Sequence, residues 1–465
     1  MSYFANIEKF GNKIALVTDK QNFTYTSIID NSNKIFKRVK ERSLVLLKCH
    51  NCFEIIVAYI ALSRFNCPMI LIDDNLNDQS YLEIINGYQP DYIFQKKKSK
   101  KDKIDYNFFD SLGNYELLEN NKKNNAIINE NLSLLIPTSG SMGSPKFVRH
   151  SYENIKVNID QVTDSLSINH LDRTITTMPL NYIYGLSIVN SHIYNGASIV
   201  LNNYSLVDKK FWNFLNEKYV SNFGGVPFMY EILSKIGFEN KIPKSLEYIT
   251  QAGGKLSKDI LNKFIKICKS NNLKFITMYG QTEATSRMSY LNAAFLEAKA
   301  GSIGQPVKNG KFTLRNNDGK KIENSNEIGE LVYEGKNVSM GYAKSYLDLE
   351  KGDENQGKLF TGDLAKRDNE NFYYIVGRLK RISKIFGIRI NLDDIEVLLK
   401  KRGFDCVCTG NDETLNFFIE NDFDNEKTLN EISKNIGIHK SALKLNKINK
   451  IPRNKIGKIL YSELN

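Results

Sequence analysis

The sequence lacks an apolar run long enough to cross a membrane. Its longest clean run, Ile55 to Leu62, has Glu54 before it and Arg64 soon after. It falls well short of the about 20 residues that a spanning helix needs, so it reads as a buried helix. Met1 to Phe10 contains Glu8 and Lys9 and no apolar stretch, so no secretory signal is expected. Cysteine is sparse, with six residues at positions 49, 52, 67, 268, 406 and 408. Cys49 and Cys52 form a lone C-x-x-C, and Cys406-Val-Cys408 has the wrong spacing for the second half of a zinc ribbon. Buried free thiols in a reducing cytoplasm are the expectation. Two common catalytic loops are also missing. No G-x-x-x-x-G-K-[ST] phosphate loop occurs, and Ser139 stands where a G-x-S-x-G nucleophile elbow needs its first glycine.

The 465 residues suffice for two or three domains. With 41% hydrophobic and 25% charged residues, the composition is globular and supports a large core. The net charge of +12 could serve nucleic acid, an anionic surface or an acidic partner. The densest basic run, Lys96 to Lys103, has no interleaved aromatics and reads as a solvated loop, so no nucleic-acid partner is expected.

Strand-like and helix-like segments alternate. Leu44 to Lys48 and Pro68 to Ile72 read as strands, with a helix between them from Asn51 to Ser63 that places Ile55, Tyr59 and Leu62 on one face. Leu132 to Ile136 is a third apolar strand, and a helix is expected after Ser151, a suitable N-cap. This alternation predicts an α/β fold of helix-covered mixed sheets. The chain changes character at Gly377, where the charged run Arg378-Leu-Lys-Arg381 precedes the last 85 or so residues. That tail predicts a small α+β domain, with helices at Leu392 to Lys400 and Leu429 to Ile436 and strands near Cys406 and Phe417. The expected division is 1–379 and 380–465.

The chemistry is carried by ordered motifs. Thr138-Ser-Gly-Ser-Met-Gly-Ser-Pro-Lys146 follows a buried strand and offers amides, hydroxyls and one cation to an anion. Tyr279-Gly-Gln-Thr-Glu283, Gly329-Glu-Leu331, Gly341-Tyr342, Thr361-Gly-Asp-Leu364 and Gly377-Arg378 come next, with Lys384, Gly387 and Arg389 after them. Pro452-Arg-Asn-Lys-Ile-Gly-Lys458 closes the series. In order, spacing and residue type this set resembles the adenylate-forming superfamily of acyl-CoA synthetases, peptide-synthetase adenylation domains and luciferases. Phe23-Thr-Tyr25, Gly224-Gly-Val-Pro227 and Gly253-Gly254 extend the likeness along nearly the whole chain.

The resemblance implies ATP-dependent activation of a carboxylic acid as its acyl-AMP, then transfer to a thiol. It implies that Thr138, Ser139, Gly140, Ser141, Gly143 and Lys146 wrap the β- and γ-phosphates. Tyr279 and Gly280, with Gly253, would line the adenine and nucleotide side, and Thr282 would contact the α-phosphate. Glu283 would hold Mg²⁺, which favours carboxylate oxygen. Asp363 would accept the ribose hydroxyls and Arg378 would contact the ribose or phosphate. Lys458 would reach the substrate carboxylate and the α-phosphate together. Tyr182 stands at an aromatic gate, and Gly225 and Gly254 would border the acyl substrate. Lys380 would be the pivot of a mobile small domain.

Two departures stand out. Met142 takes a position usually held by a hydroxyl residue, and Phe147 replaces the glycine that commonly follows the loop lysine, so altered ATP affinity is expected. Adenylation domains for α-amino acids usually carry an acid beside the gate, whereas Asn181-Tyr-Ile-Tyr184 has none, and Gln281 is more typical of acyl-CoA synthetases. Both point to a small carboxylic acid without a free α-amine. The acceptor is coenzyme A or the phosphopantetheine of a separate acidic acyl or peptidyl carrier protein, since both are acidic and complement a basic enzyme. An amino-acid-adenylating enzyme and a non-catalytic paralogue are the alternatives. The intact Lys146, Glu283, Asp363 and Lys458 weigh against the paralogue.

Overall fold

The computed structural model describes residues 2–97, 104–122, 126–138, 146–385, 388–411, 413–420, 422–454 and 457–464. Most of the basic run, residues 98–103, lies outside these, as do Ser139 to Pro145 (Met142 among them) and Gly387. The chain divides into two compact units, residues 1–311 with 333–359 and residues 312–332 with 360–465.

The first unit is built on two sheets. In one, six parallel strands, Ile14–Val17, Ser198–Val200, Arg173–Ile175, Asn222–Gly225, Tyr248–Gln251 and Lys274–Tyr279, lie side by side, with antiparallel strands at both edges. In the other, Val45–Cys49, Met69–Asp73, Tyr92–Lys96 and Leu132–Pro137 run parallel. Antiparallel strands extend it on both sides, including Phe147–Ser151 and Gly341–Ala343.

The helix Phe53–Arg64 buries every residue from Ile55 to Ser63. It is apolar all round because its core cluster draws on both sheets, with Leu16 and Ile199 from one and Leu47, Leu71 and Ile136 from the other. It starts at Phe53 rather than at Asn51, whose side chain instead donates to the Met178 carbonyl at 3.0 Å. The helix Tyr152–Leu166 begins as its N-cap predicts. Ser151 Oγ accepts from the Asn154 amide at 3.0 Å, and Asn154 Oδ1 accepts from the Ser151 amide at 2.8 Å.

The second unit holds most residues of a four-stranded sheet in the order Lys311–Arg315, Gly329–Glu334, Lys358–Arg367, Tyr373–Arg378. Residues 312–332 belong to this unit because their strands pair there. Farther on, Cys406–Gly410, Leu415–Ile419 and Leu443–Lys447 form a small sheet covered by the helices Leu392–Lys401 and Asn425–Ile436. Leu399, Cys408, Phe417 and Ile432 are its core. All six cysteines are free thiols; five are buried and Cys52 is half-buried. Among the described residues no helix is long and apolar enough to cross a membrane.

Candidate active site

The strand Lys274–Tyr279 leads into a tight loop that carries Thr282 and Glu283 on a single 3-10 turn. Gly280 is required there, because a Cβ at this position would lie 1.5 Å from the Ser286 carbonyl oxygen. The return of the loop uses left-handed backbone at Thr285 (φ 52°) and Ser286 (φ 100°). Such conformations are costly for non-glycine residues and persist only where neighbours over-determine them. The buried side chain of Asn337 does this. Its amide donates to the carbonyls of Ala284 (2.9 Å) and Arg287 (3.2 Å), and its oxygen accepts from Tyr333 at 2.8 Å. The Ser339 amide adds a bond to the Glu283 carbonyl at 2.9 Å.

Two strands of the other sheet bring a cation to this loop. Lys146 precedes Phe147–Ser151, which pairs with Gly341–Ala343, so Val148 lies opposite Tyr342. Lys146 Nζ sits 3.5 Å from the centroid of the Tyr342 ring. The Tyr342 hydroxyl donates to Glu283 Oε1 at 2.9 Å. Burial and, after it, the Glu283 charge push the Tyr342 phenol above its ordinary pKa, so it stays a neutral donor. Tyr342 thus links the loop lysine to the Glu283 carboxylate. Buried Arg149 fixes its backbone, donating to the Tyr342 carbonyl at 3.0 Å and pairing with Glu354 at 2.6 Å.

The segments assigned to substrate also meet. Tyr182 caps the helix Ile183–Tyr194. A Cβ on Gly253 (φ 83°) would lie 2.6 Å from the Tyr182 hydroxyl, one on Gly254 3.1 Å from Pro227, and one on Gly225 2.9 Å from the Tyr230 ring. Tyr182 is therefore packed on Gly253, beside the strand end that holds Gly225.

Phe147 has a structural reason. It is buried and makes an edge contact with Tyr88, ring centroids 5.2 Å apart. The side chain that replaces the usual glycine fills the core under Tyr88. Thr138 is half-buried at the end of its strand.

The second unit holds the other candidates. Asp363 and Arg378 lie opposite each other on adjacent strands, and Arg378 Nε donates to Asp363 Oδ1 at 2.9 Å. Lys380 is exposed in the 3-10 turn Leu379–Arg381. Lys458 sits on a turn closed by Asn454, which accepts the Lys458 amide at 2.9 Å on its side chain, and Gly457 provides the positive φ of 79°. Sequence reasoning passed over Asn337, a polar residue with no motif of its own, and the bridging role of Tyr342. The dipeptide Gly341-Tyr342 was the available signal for the latter.

A family model described as AMP-binding enzyme matches residues 3–343. The chain belongs to this family. The expected adenylate-forming class is thereby shown. Among curated relatives, the 2-succinylbenzoate–CoA ligase of Bacillus cytotoxicus is 26% identical over 387 residues, covering 79% of this chain and 76% of that protein. The same enzyme of Oceanobacillus iheyensis is 23% identical over 82% of this chain and 79% of its own. Among solved structures, O-succinylbenzoate coenzyme A synthetase from Bacillus subtilis in complex with AMP superposes with a TM-score of 0.77 at 20% identity, covering all of this chain and 98% of that one. Anthranilate CoA ligase in complex with anthranoyl-AMP gives 0.76 at 16% identity over all of this chain and 96% of that one. These likenesses establish the expected α/β fold, with a large N-terminal sheet domain and a smaller C-terminal α+β domain.

Proposed function

We propose that this adenylate-forming enzyme is an AMP-forming acid–CoA ligase. The carboxylate of a small organic acid attacks the α-phosphorus of ATP, pyrophosphate leaves, and the acyl-adenylate then passes its acyl group to the thiol of coenzyme A with release of AMP. The observation that carries the reading is the Lys146–Tyr342–Glu283 link, which brings a cation and a carboxylate to one tyrosine in the first unit. That pairing suits a metal-bound polyphosphate. Lysine neutralises phosphate oxygen, and the half-buried Glu283 carboxylate is a fitting ligand for Mg²⁺. Among the described residues no group of three or more acidic, histidine or cysteine side chains could hold a metal by itself. Bound at Glu283, Mg²⁺ would neutralise charge on the departing pyrophosphate.

In this reading Thr138 to Lys146, Ser139, Gly140, Ser141 and Gly143 included, cradle the phosphates, while Tyr279, Gly280 and Gly253 border the nucleotide. Thr282 donates to the α-phosphate, and Asp363, held by Arg378, accepts the ribose hydroxyls. Lys458 stabilises the charge that grows between carboxylate and α-phosphate. Tyr182, Gly225 and Gly254 border the acyl group. Lys380 is the pivot between 1–379 and 380–465. Its exposure between Arg378, tied to Asp363, and Arg381, tied to the helix Leu392–Lys401, supports this role. Coenzyme A is preferred over a carrier protein because the relatives above are named as CoA ligases. Free thiols at every cysteine support a cytoplasmic setting.

The test is carboxylate-dependent ATP–pyrophosphate exchange over a panel of acids that includes 2-succinylbenzoate and the amino acids, followed by trapping with coenzyme A or a carrier protein. Exchange with simple acids and a CoA thioester product is expected. Exchange best supported by a single amino acid, or a carrier as sole acceptor, would overturn the reading.

A further inference from the structure

Arg287 is a fully buried arginine that pairs with no carboxylate among the described residues. It follows the Thr282–Glu283 turn by four residues and is among the largest fully buried side chains of the chain. Among the described residues, none of Nε, Nη1 or Nη2 has a hydrogen-bond partner. Its backbone is held firmly, with the carbonyl accepting from Asn158 at 3.2 Å and from Asn337 at 3.2 Å. Its guanidinium lies 4.7 Å from the centroid of the Tyr184 ring. Burial depresses its pKa, opposed first by the Tyr184 phenol and then by that of Tyr248. His192 also feels its charge, and the nearest acid in this group, Asp172, acts on His192 and Tyr248 rather than on the guanidinium itself.

A guanidinium stripped of water and left without an anion is costly, by several kcal/mol in ordinary proteins. A fold bears that cost where an anion arrives with a ligand. The five donors of arginine form a planar fork that matches a carboxylate in bidentate fashion.

The location says which ligand. Tyr184 is two residues beyond the gate residue Tyr182, and its hydroxyl is 2.8 Å from Thr250 Oγ1. A Cβ on Gly224 would lie 2.8 Å from the same hydroxyl. Ser187 of the same helix reaches Ser286, the neighbour of Arg287, at 3.4 Å. Arg287 therefore packs on Tyr184, whose hydroxyl in turn touches the Gly224–Gly225 strand and the strand leading to Gly253–Gly254, the segments placed around the acyl group. Glu283, at the other end of the loop, turns to Tyr342 instead.

We propose that Arg287 is the receptor for a second anionic group on the acyl substrate, a carboxylate other than the one activated, so that the enzyme selects dicarboxylic acids. The proposal rests on the ligase reading above. Recognition is by a bidentate Arg–carboxylate pair in a dry pocket. A monoacid of the same shape leaves the guanidinium as unpaired as it is without substrate, and a site built around a buried polar group discriminates strongly against a ligand that lacks the matching group.

The experiment compares 2-succinylbenzoate with its two singly carboxylated counterparts, 3-benzoylpropanoate and 2-butanoylbenzoate. Straight-chain α,ω-dicarboxylates and their monomethyl esters form a second set of pairs. The wild type should favour the dianion of the preferred pair by at least about 10-fold in kcat/KM for pyrophosphate exchange. Arg287→Met should lower kcat/KM for that dianion by about 100-fold and leave its monoacid partner unchanged or improved, with Arg287→Lys intermediate. A wild type that uses monoacids as well as dianions overturns the proposal without any variant. So does an Arg287→Met enzyme that keeps the preference. If no acid supports exchange, the ligase reading fails. Calorimetric binding of the same dianions to the wild type and to Arg287→Lys then decides the anion site separately, with equal affinities, or no binding by the wild type, counting against it.

Discussion

The guanidinium of Arg381 lies 3.9 Å from the centroid of the Tyr461 ring, so the residue after the proposed pivot grips the chain three residues beyond Lys458. The same guanidinium pairs with Glu396 at 2.7 Å and with Asp393, and donates to the Cys408 carbonyl at 3.1 Å. Glu396 in turn accepts from the Tyr461 hydroxyl at 3.0 Å. Motion at Lys380 would therefore be passed directly to the segment that carries Lys458.

Lys380→Pro should separate the two half-reactions. Proline fixes φ near −65° and removes the amide donor, so the pivot would keep one pose. Adenylation should persist, while thioester formation should fall by at least about 10-fold. The two steps are measured apart, by pyrophosphate exchange and by CoA thioester release from supplied acyl-adenylate. Near-normal rates for both would remove Lys380 from its role.

Lys458→Ala should do the reverse. Losing one strong electrostatic donor costs about 100-fold in the step it serves. Adenylation should drop by that much, and thioester formation from supplied acyl-adenylate far less. Equal damage to both would contradict the assignment.

Tyr342→Phe keeps the ring over Lys146 and removes the hydroxyl from Glu283. A hydrogen bond to a charged group contributes about 1.5 kcal/mol or more, less where water competes. A rise in KM for magnesium–ATP of about 5-fold is expected, with little change in KM for the acid. Tyr342→Ala should be worse, since the cation–π contact is lost as well. The readout is initial-rate kinetics at varied magnesium and ATP. A variant with wild-type KM for both would separate Tyr342 from nucleotide binding.

Acid should destabilise the first unit through two histidines. Burial lowers His150 to about 3 and His192 to about 4. Both folded values lie below the unfolded value near 6.5, so the unfolded chain binds more protons between them. Their contribution is fully present above about pH 6.5 and is lost as pH falls toward 4 and 3, by about 1.4 kcal/mol per pH unit for each group. Urea unfolding at pH 7.0 and 5.5 would show it, and His150→Leu should reduce the slope. An identical slope in that variant would exclude His150 as a source.

Much of this architecture was legible because local signals agreed with the global fold. Ser151, as an N-cap before a polar helix-like segment, marked the start of one helix, and Ile55 to Leu62 could only be buried. Leu392 to Lys400 was readable from its period, and the observed helix runs one residue further. What stayed hidden depends on pairing between distant segments. The charged run at 378–381 carries no sign that 312–332 pairs with strands after residue 358. The sequence likewise could not show that Tyr342 joins Lys146 to Glu283. Arg287 was invisible for a different reason. Arginine is ordinarily a surface residue, and only the fold reveals that this one is dry.

Phe147 also limits how the segment before it, Thr138 to Lys146, could be exchanged between proteins. Its ring rests on Tyr88, and the Tyr88 hydroxyl donates to the Ala343 carbonyl at 2.8 Å, next to Tyr342. Restoring the usual glycine would leave a hole the size of an aromatic side chain, a change that costs about 3–5 kcal/mol in well-packed cores. The loop is therefore not a portable cassette. A graft ending in Lys-Gly would need a compensating residue at position 88, and positions 88 and 147 should be exchangeable only as a pair.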